Sequence, residues 1–284
     1  MRYRLLLTVL TLVAGLTAGA GGQYDFSSVT ITTTHVAGNV YMLEGSGGNI
    51  AVSVGEDGIL MIDAQFVGLA PKIEAALNEL SKDDLKFLLN THYHQDHTSG
   101  NPAFGDQAPI FAHHNVRRRL AEDPQKGWPV VTFEEGLSIH FNGEEIKALH
   151  YPPAHTDGDV LVYFTGAKVV HIGDLIFSDR FPYVDLEAGG DVEGYLNAIK
   201  RLSTELPPDI LLVSGHSPVM TVDYLEGYHA ALVEQVAFIR TGMDHGRTLE
   251  QLLEQGLPTK WKEWTWSFVS EAAWIETVFK SYGH

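Results

Sequence analysis

Three histidines and one aspartate fall within six consecutive positions of the segment "THYHQDHTSGN", Thr91 to Asn101. In an extended segment alternate side chains share one face, so His92, His94 and Asp96 can converge on one position. His97 breaks this alternation, and a turn at that point would direct Asp96 and His97 towards a second position. Such residues are costly to bury without a metal ion. The spacing therefore predicts that one short loop supplies ligands to two metals.

Further ligands are expected from other strand ends. His155, Asp174 and His216 each follow an apolar β-type segment, although each one alone has a simpler interpretation as an ordinary loop residue. The chain contains no cysteine, so a metal must be held by histidine and carboxylate, which suits Zn²⁺. Neither a thiol nucleophile nor a G-x-S-x-G motif is present, which argues against covalent catalysis.

The elements that must position these residues follow from hydrophobic periodicity. Short β-type segments fill Val29 to Asp63, a helical spacing follows in "LAPKIEAALNELS", and the apolar strand "LKFLLN" leads into the histidine cluster. Strands resume from "LSIHFNG" to "AKVVHIGD", and most of the last third is helical. Two similar halves of strands and helices predict an α/β fold, a four-layer αβ/βα sandwich with helices outside two packed sheets.

Helix boundaries in the last third have specific signals. Asp191 is a candidate N-cap, and Thr248 with Gln251 makes a capping-box pattern. A stripe in the final helix is interpreted as core packing. Its members are Phe268, Ala272, Ile275 and Phe279.

Residues 1–20 have the layout of a secretory signal peptide. Arg2 and Arg4 precede an apolar stretch, and Ala18 and Ala20 provide a small-residue cleavage site. An uncleaved membrane anchor is the alternative, but the stretch is short for a spanning helix. We therefore expect a periplasmic or secreted protein with a single domain over residues 21–284 and no stable membrane anchor after cleavage.

The net charge limits the possible partners. A formal charge of −17 repels phosphate backbones, which argues against nucleic acid and leaves a small-molecule substrate. The oligomeric state has no signal in the sequence.

The order "HYHQDH", "PPAHTDGD", "HIGD", "VSGH" resembles the metallo-β-lactamase superfamily. The resemblance implies a dinuclear zinc hydrolase, with iron or manganese as possible substitutes. In that family pattern the first zinc is bound by His92, His94 and His155, the second by Asp96, His97 and His216, with Asp174 between them and Asp63 supporting the histidine loop. A metal-bridging hydroxide would attack a carbonyl, and Asp96 would also hold the nucleophile or pass on its proton.

The substrate is less well defined than the metal site. True β-lactamases usually carry Cys or Ser where this chain has Asp174, and acyl-homoserine lactonases tend to have tyrosine where it has Phe177. The histidine and aspartate set nevertheless also occurs in a zinc-lactamase subclass. The predicted reaction is hydrolysis of a small ester, thioester, lactone or β-lactam. The alternative is a metal-binding accessory protein of a periplasmic quinoprotein oxidation system, with little or no hydrolysis.

Three aromatic residues are candidates for the wall of the substrate pocket: Trp128, Phe181 and Tyr183. Scattered surface aromatics are the alternative. Four further histidines, His113, His114, His150 and His171, are expected to pack or to hydrogen bond outside the ligand set. The run Arg117 to Arg119 is interpreted as a solvated helix face, or more weakly as a site that attracts an acidic substrate group.

Overall fold

Two β-sheets form the centre of the fold. A computed structural model describes residues 25–122, 127–151 and 153–283, so the predicted signal peptide lies outside the described residues. The first sheet contains β1 (Thr32–Ala37), β2 (Val40–Glu44), β3 (Ile50–Gly55), β4 (Gly58–Ile62), β5 (Leu85–Leu89), β6 (Ile110–His113) and β7 (Val131–Phe133). The second contains β8 (Gly136–Phe141), β9 (Glu144–His150), β10 (Val160–Phe164), β11 (Val169–His171), β12 (Leu211–Val213) and β13 (Met220–Thr221).

The helices connect or flank these sheets. They are α1 (Ala70–Leu80), α2 (Gln95–Thr98), α3 (Asn101–Phe104), α4 (His114–Leu120), α5 (Val192–Glu205), α6 (Asp223–Asp244), α7 (Leu249–Gln255) and α8 (Glu271–Tyr282), with 3-10 turns at Val67–Leu69 and Thr259–Trp264. No helix in the described part of the chain is both long and apolar enough to cross a bilayer.

Strand order explains why distant ligands meet. The first sheet runs β1 to β7 in sequence order, antiparallel up to β4 and parallel from β4 to β7. The second runs β13-β12-β11-β10-β9-β8, and within it β11 and β12 are parallel. Parallel neighbours end at the same sheet edge, so the loops that follow β11 and β12 lie side by side.

Alternating side chains divide the core into layers. Leu60 and Ile62 of β4 pack in a cluster that also contains Val160 and Val162 of β10, which joins the two sheets. Ile59 and Met61 pack in a separate cluster with helix α1. Because successive residues of a strand face opposite sides, each sheet is covered on both faces.

The outer face of the second sheet is covered by the last helices. One cluster contains β-strand residues such as Leu161 and Leu212 together with Ile199 of α5, Leu232 of α6 and Trp274 of α8. Helices outside two packed sheets make the four-layer αβ/βα sandwich, so the predicted fold class is confirmed.

The predicted helix caps are present. The Asp191 side chain accepts a hydrogen bond from the amide of Gly194 at 2.7 Å, and Thr248 and Gln251 form the reciprocal capping box.

The predicted stripe of the final helix is wrong in part. Ser270 caps α8, so Phe268 lies before the helix and is 64% exposed. Ala272 is exposed as well. The buried face of α8 consists of Trp274, Ile275 and Val278. The stripe failed because it was extended across the helix start.

Candidate metal centre

The seven predicted ligands meet in two adjoining groups. The first group contains His92, His94, His155 and Asp174, and the second contains Asp96, His97 and His216. Within each group the potential ligand atoms lie within 4.8 Å of one another. Each group therefore could hold a metal ion.

Asp174 lies between the two groups. Its Oδ1 is 3.3 Å from His97 Nε2, and its Oδ2 is 3.2 Å from His216 Nε2. The same Oδ2 is 3.7 Å from His155 Nε2 and 3.9 Å from His92 Nε2. One buried carboxylate thus faces both groups, which is the position expected of a ligand shared by two cations.

The tautomers of the first group leave lone pairs directed at one position. His94 Nε2 donates to the Asp185 carboxylate at 2.9 Å, and His155 Nδ1 donates to the Tyr183 carbonyl at 2.7 Å. The remaining nitrogens, His94 Nδ1 and His155 Nε2, lie 2.9 Å apart. In the neutral imidazoles both carry lone pairs, which repel each other unless a cation lies between or beside them.

Buried atoms without partners give the same indication. His92 Nε2, His97 Nε2 and Asp174 Oδ1 are buried, and none has a hydrogen-bond partner among the described residues. Such atoms are costly in a folded protein unless water or a metal satisfies them. A set of imidazoles and carboxylates without sulfur matches the preference of Zn²⁺. The residues therefore fit a dinuclear metal centre.

Asp96 is the ligand candidate closest to solvent. Its Oδ2 is 3.1 Å from His216 Nε2 and 3.6 Å from His97 Nε2, and its side chain is 27% exposed, against 4% for Asp174. Burial acts to raise the pKa of Asp96, but His97 and His216 outweigh it and hold that pKa at about 2. Asp96 is therefore ionised at neutral pH and accessible to a substrate or water.

The histidines of the second group attract protons. Burial acts to lower the pKa of His97, yet the carboxylates of Asp174, Asp96 and Asp63 raise it well above the ordinary value. Burial also acts to lower the pKa of His216, but the carboxylates of Asp174 and Asp96 outweigh it and raise that pKa to about 9. A metal must therefore displace protons from this group.

The first group behaves in the opposite way. Burial, together with the neighbouring His97, lowers the pKa of His92 well below the ordinary value despite the opposing charge of Asp174. Burial and the neighbouring His94 lower the pKa of His155 to about 3. These two imidazoles are neutral at pH 7 and ready to bind a metal.

Asp63 supports both groups from behind. This fully buried carboxylate accepts hydrogen bonds from the Thr91 amide at 2.8 Å, the Thr91 hydroxyl at 2.7 Å and His97 Nδ1 at 2.7 Å. The Thr91 hydroxyl in turn lies 3.0 Å from His92 Nδ1. The contacts direct Nε2 of both histidines towards the site, which agrees with the supporting role predicted for Asp63.

Sequence reasoning missed a second supporting carboxylate, Asp185. Its Oδ2 binds His94 Nε2 and also accepts a hydrogen bond from the Tyr93 hydroxyl at 2.7 Å. The Arg119 guanidinium lies 5.4 Å from the centroid of the Tyr93 ring and pairs with Asp157. No spacing pattern marks Asp185, because its partner lies in a different loop.

Arg117 and Arg118 are exposed, as the prediction of a solvated helix face requires, but the side chains of the run have partners. Arg118 and Arg119 both pair with Asp157, at 3.0 and 2.7 Å, and the Arg117 guanidinium donates to the Pro129 carbonyl. The idea that the run attracts an acidic substrate group therefore has little support in the structure.

Glycine is required where backbone approaches the ligands. A Cβ at Gly48 would lie 2.1 Å from His97 Cε1, and a Cβ at Gly215 would lie 2.1 Å from Asp174 Oδ1. Any side chain at either position would displace a ligand.

Only one of the three predicted pocket aromatics lies at the site. The Tyr183 ring is 5.5 Å from that of His94. Phe181, by contrast, is fully buried and packs on Trp264 and Trp274, so its assignment to the pocket wall is wrong. The chain turns inward after the Asp174 loop and places this side chain in the core.

Trp128 lies beside the arginine run. Its ring centroid is 6.0 Å from the Arg117 guanidinium, and within the described residues no ring contact links it to a ligand histidine. Its assignment to the pocket wall is not supported by this position.

The four further histidines predicted to lie outside the ligand set have other surroundings. His113 and His150 stack with ring centroids 3.7 Å apart, and burial lowers the pKa of His113 to about 4. His171 is buried, and its ring nitrogens contact the Asn49 carbonyl and the Gly173 amide. His114 is exposed. None of the four belongs to either ligand group.

Comparison with known proteins agrees with this geometry. The profile of the metallo-beta-lactamase superfamily matches residues 33–216. A probable metallo-hydrolase of Bacillus subtilis is 29% identical over 58% of this chain and 82% of its own length. A hydroxyacylglutathione hydrolase of Crocosphaera subtropica is 32% identical over 37% of this chain and 40% of its own length.

Some relatives are matched over less than half of their length. An uncharacterized protein of Aquifex aeolicus is 37% identical, but the match spans 33% of this chain and 44% of that protein. Among solved structures, a metallo-beta-lactamase from Pontibacter korlensis has a TM-score of 0.63 at 21% identity, covering 72% of this chain and 100% of that one. The DIM-1 metallo-beta-lactamase has the same TM-score at 15% identity, covering 72% and 98%. At these identities the structural likeness concerns the fold alone.

The sandwich fold and a histidine and aspartate site at its strand ends define a class of metal-binding proteins. The chain belongs to the metallo-beta-lactamase superfamily. Homologues named metallo-hydrolase and hydroxyacylglutathione hydrolase support a metal-dependent hydrolase.

Proposed function

We propose that the chain is an exported, dinuclear zinc hydrolase that cleaves a small ester, thioester, lactone or β-lactam. The observation that carries this proposal is the position of Asp174, whose two oxygens face both ligand groups. The three unpartnered ligand atoms in the same site support it. Similarity to hydroxyacylglutathione hydrolases makes a thioester the first substrate to test.

The chain's own residues supply positioning and proton handling. When bound, two zinc ions would acidify a water molecule and polarise the substrate carbonyl. Asp96 is ionised and partly exposed, so it can accept a hydrogen bond from the attacking water and orient it. Asp63 and Asp185 hold the rings of His97 and His94 in the tautomers that present a lone pair to the site.

Export and domain organisation remain part of the proposal. We propose that residues 1–20 direct the chain to the periplasm or the medium and that the mature domain begins near Gly21. Fractionation of cells producing the full chain, with N-terminal sequencing of the recovered protein, tests both points. Recovery of the intact N-terminus in the membrane fraction would instead favour an anchor.

The test of the reaction uses purified protein that starts at Gly21. Metal content is measured by elemental analysis, and hydrolysis of a thioester, a lactone and nitrocefin is followed with and without chelator. About two zinc ions per chain and chelator-sensitive turnover are expected. Turnover of nitrocefin would identify a β-lactamase, whereas bound metal without any turnover would favour the accessory protein of an oxidation system.

Substitution of Asp96 tests the mechanism. Asp96→Asn should lower kcat by about 10²–10⁴-fold, because it removes a charged group that handles the nucleophile's proton. Asp244→Asn makes the same chemical change at an exposed residue of α6 and should match the wild type. Full activity of Asp96→Asn with both metals bound would contradict the proposed role.

A further inference from the structure

A continuous row of aromatic rings connects the two ligand groups along one side of the site. The His94 ring lies 5.5 Å from Tyr183, and Tyr183 lies 5.1 Å from Phe268. Phe268 lies 5.7 Å from Trp266, and Trp266 lies 6.5 Å from His216. The row therefore starts at a histidine of the first group and ends at a histidine of the second. We call Tyr183, Phe268 and Trp266 the aromatic wall.

The wall is fixed at its base. The Trp266 indole N–H donates to the Phe181 carbonyl at 2.9 Å, and the Arg180 guanidinium lies 5.4 Å from the Trp266 ring centroid. The Trp266 amide also bonds to the Val269 carbonyl at 3.2 Å, which closes a tight turn around Phe268. The Trp266 ring and the turn that carries Phe268 are thus held in place.

Phe268 is exposed at the top of this wall. Its 64% exposure is high for a large apolar side chain of this protein. A single exposed phenylalanine is common and by itself indicates nothing. Here, however, the exposed ring continues a row of half-buried aromatics that begins at a ligand candidate. Phe268 is separated from a ligand histidine by one aromatic ring on either side, Tyr183 towards His94 and Trp266 towards His216.

Most of the wall is supplied by a segment outside the family match. The superfamily profile matches residues 33–216, whereas Trp266 and Phe268 follow the 3-10 turn Thr259–Trp264 and precede α8. The ligands thus come from the matched region, and the surface beside them comes from a later segment. This division separates the residues that could bind metal from those that could select a substrate.

We propose that the aromatic wall binds an aryl group of the substrate next to the scissile bond. The substrate class is an ester or thioester of an aromatic or arylalkyl acid, or one with an aryl leaving group. Offset or edge-to-face contact with Tyr183 and Phe268 would hold that group, and such contacts contribute beyond simple burial. This inference deepens the proposed hydrolytic function and rests on it.

The test compares matched substrates on the metal-loaded protein. Phenylacetyl and acetyl thioesters of one thiol vary the acyl side, and benzyl and methyl acetates, whose leaving alcohols have similar acidity, vary the leaving side. In the wild type, kcat/KM should favour the aryl member of at least one pair. In Phe268→Ala that preference should fall about tenfold, which corresponds to about 1.4 kcal/mol. Phe268→Tyr keeps the ring and should keep the preference.

Controls separate the wall from general effects of mutation. Leu253→Ala removes another large, partly exposed apolar side chain, on α7, and should leave the aryl preference unchanged. A wild type that hydrolyses both members of each pair equally would overturn the inference and leave the hydrolase intact. So would an aryl preference within twofold of wild type in Phe268→Ala.

A binding measurement keeps the inference testable if hydrolysis is absent. Calorimetry with phenylacetate and acetate measures product binding directly on the metal-loaded protein. Tighter binding of phenylacetate that weakens about tenfold in Phe268→Ala would support the wall even if no ester is turned over. Equal affinities for the two anions, together with equal affinities for benzyl alcohol and methanol, would overturn it.

Discussion

Replacing Asp63 with asparagine tests the support behind the metal groups. The substitution keeps the size of the side chain but removes its charge and puts an amide where Oδ2 accepts from His97 Nδ1 and the Thr91 hydroxyl. The Thr91 hydroxyl keeps the hydrogen bond that it accepts from His92 Nδ1, 3.0 Å away, whereas the His97 ring would face a second donor. The main loss therefore falls on the orientation of His97.

The size of the effect follows from that contact. Removing a residue that orients a metal-binding histidine costs about 10–100-fold in metal affinity, equivalent to about 1.4–2.7 kcal/mol. Asp63 also helps to raise the pKa of His97, so its loss reduces proton competition for that ring. This gain offsets part of the loss near neutral pH, where His97 of the metal-free wild type is protonated. The loss of zinc affinity should thus grow as the pH rises through the pKa of His97.

Competition with a chromophoric chelator measures zinc affinity across a series of pH values. The matched control is Asp57→Asn, which alters an exposed carboxylate that accepts a hydrogen bond from the Asn142 amide at 2.7 Å. Its zinc affinity should equal that of the wild type. A folded Asp63→Asn variant with zinc affinity within twofold of wild type at every pH of the series would refute the reasoning.

Two further predictions concern the metal-free state and the space around His97. In metal-free protein, the melting temperature should rise as pH increases towards 6.5, because the folded state keeps His155 neutral down to a pKa of about 3. The melting temperature should then fall as pH increases from 6.5 to about 9, because folded His216 loses the proton that stabilised it. Bound zinc should abolish this fall. Calorimetric scans at a series of pH values measure both the rise and the fall. Gly48→Ala should reduce bound zinc at least tenfold by elemental analysis, since its Cβ would lie 2.1 Å from the His97 ring, whereas Gly227→Ala, with open space around its Cβ, should retain it. Normal zinc content in Gly48→Ala would show that the backbone moves aside.

Local patterns were enough to single out the residues that the structure brings together in the two ligand groups. The histidine cluster lies in one short segment of the sequence. An apolar run that predicts a strand precedes each of the other three ligand candidates, His155, Asp174 and His216. The loops that follow these strands lie at sheet edges, and the family resemblance implied which of these loops meet. The short strand β7 could not be predicted from the sequence, since its three residues directly follow a proline- and glycine-rich loop.

Contacts between distant loops could not be predicted from the sequence. Asp185 binds His94 across 91 positions, and no periodicity relates them. Phe181 and Tyr183 are two residues apart and similar in character, yet one lies in the core and the other at the site. That difference depends on how the loop turns after Asp174. Phe268 was misassigned because the start of α8 was placed too early.

Each ligand group draws on both sheets. His92 and His94 follow β5 of the first sheet, while His155 and Asp174 follow strands of the second; the other group has the same division. Bound metals would therefore join the two sheets as non-covalent cross-links, adding the free energy of metal binding to the stability of the folded chain. Metal supply would then determine how long the protein survives proteolysis as well as whether it is active.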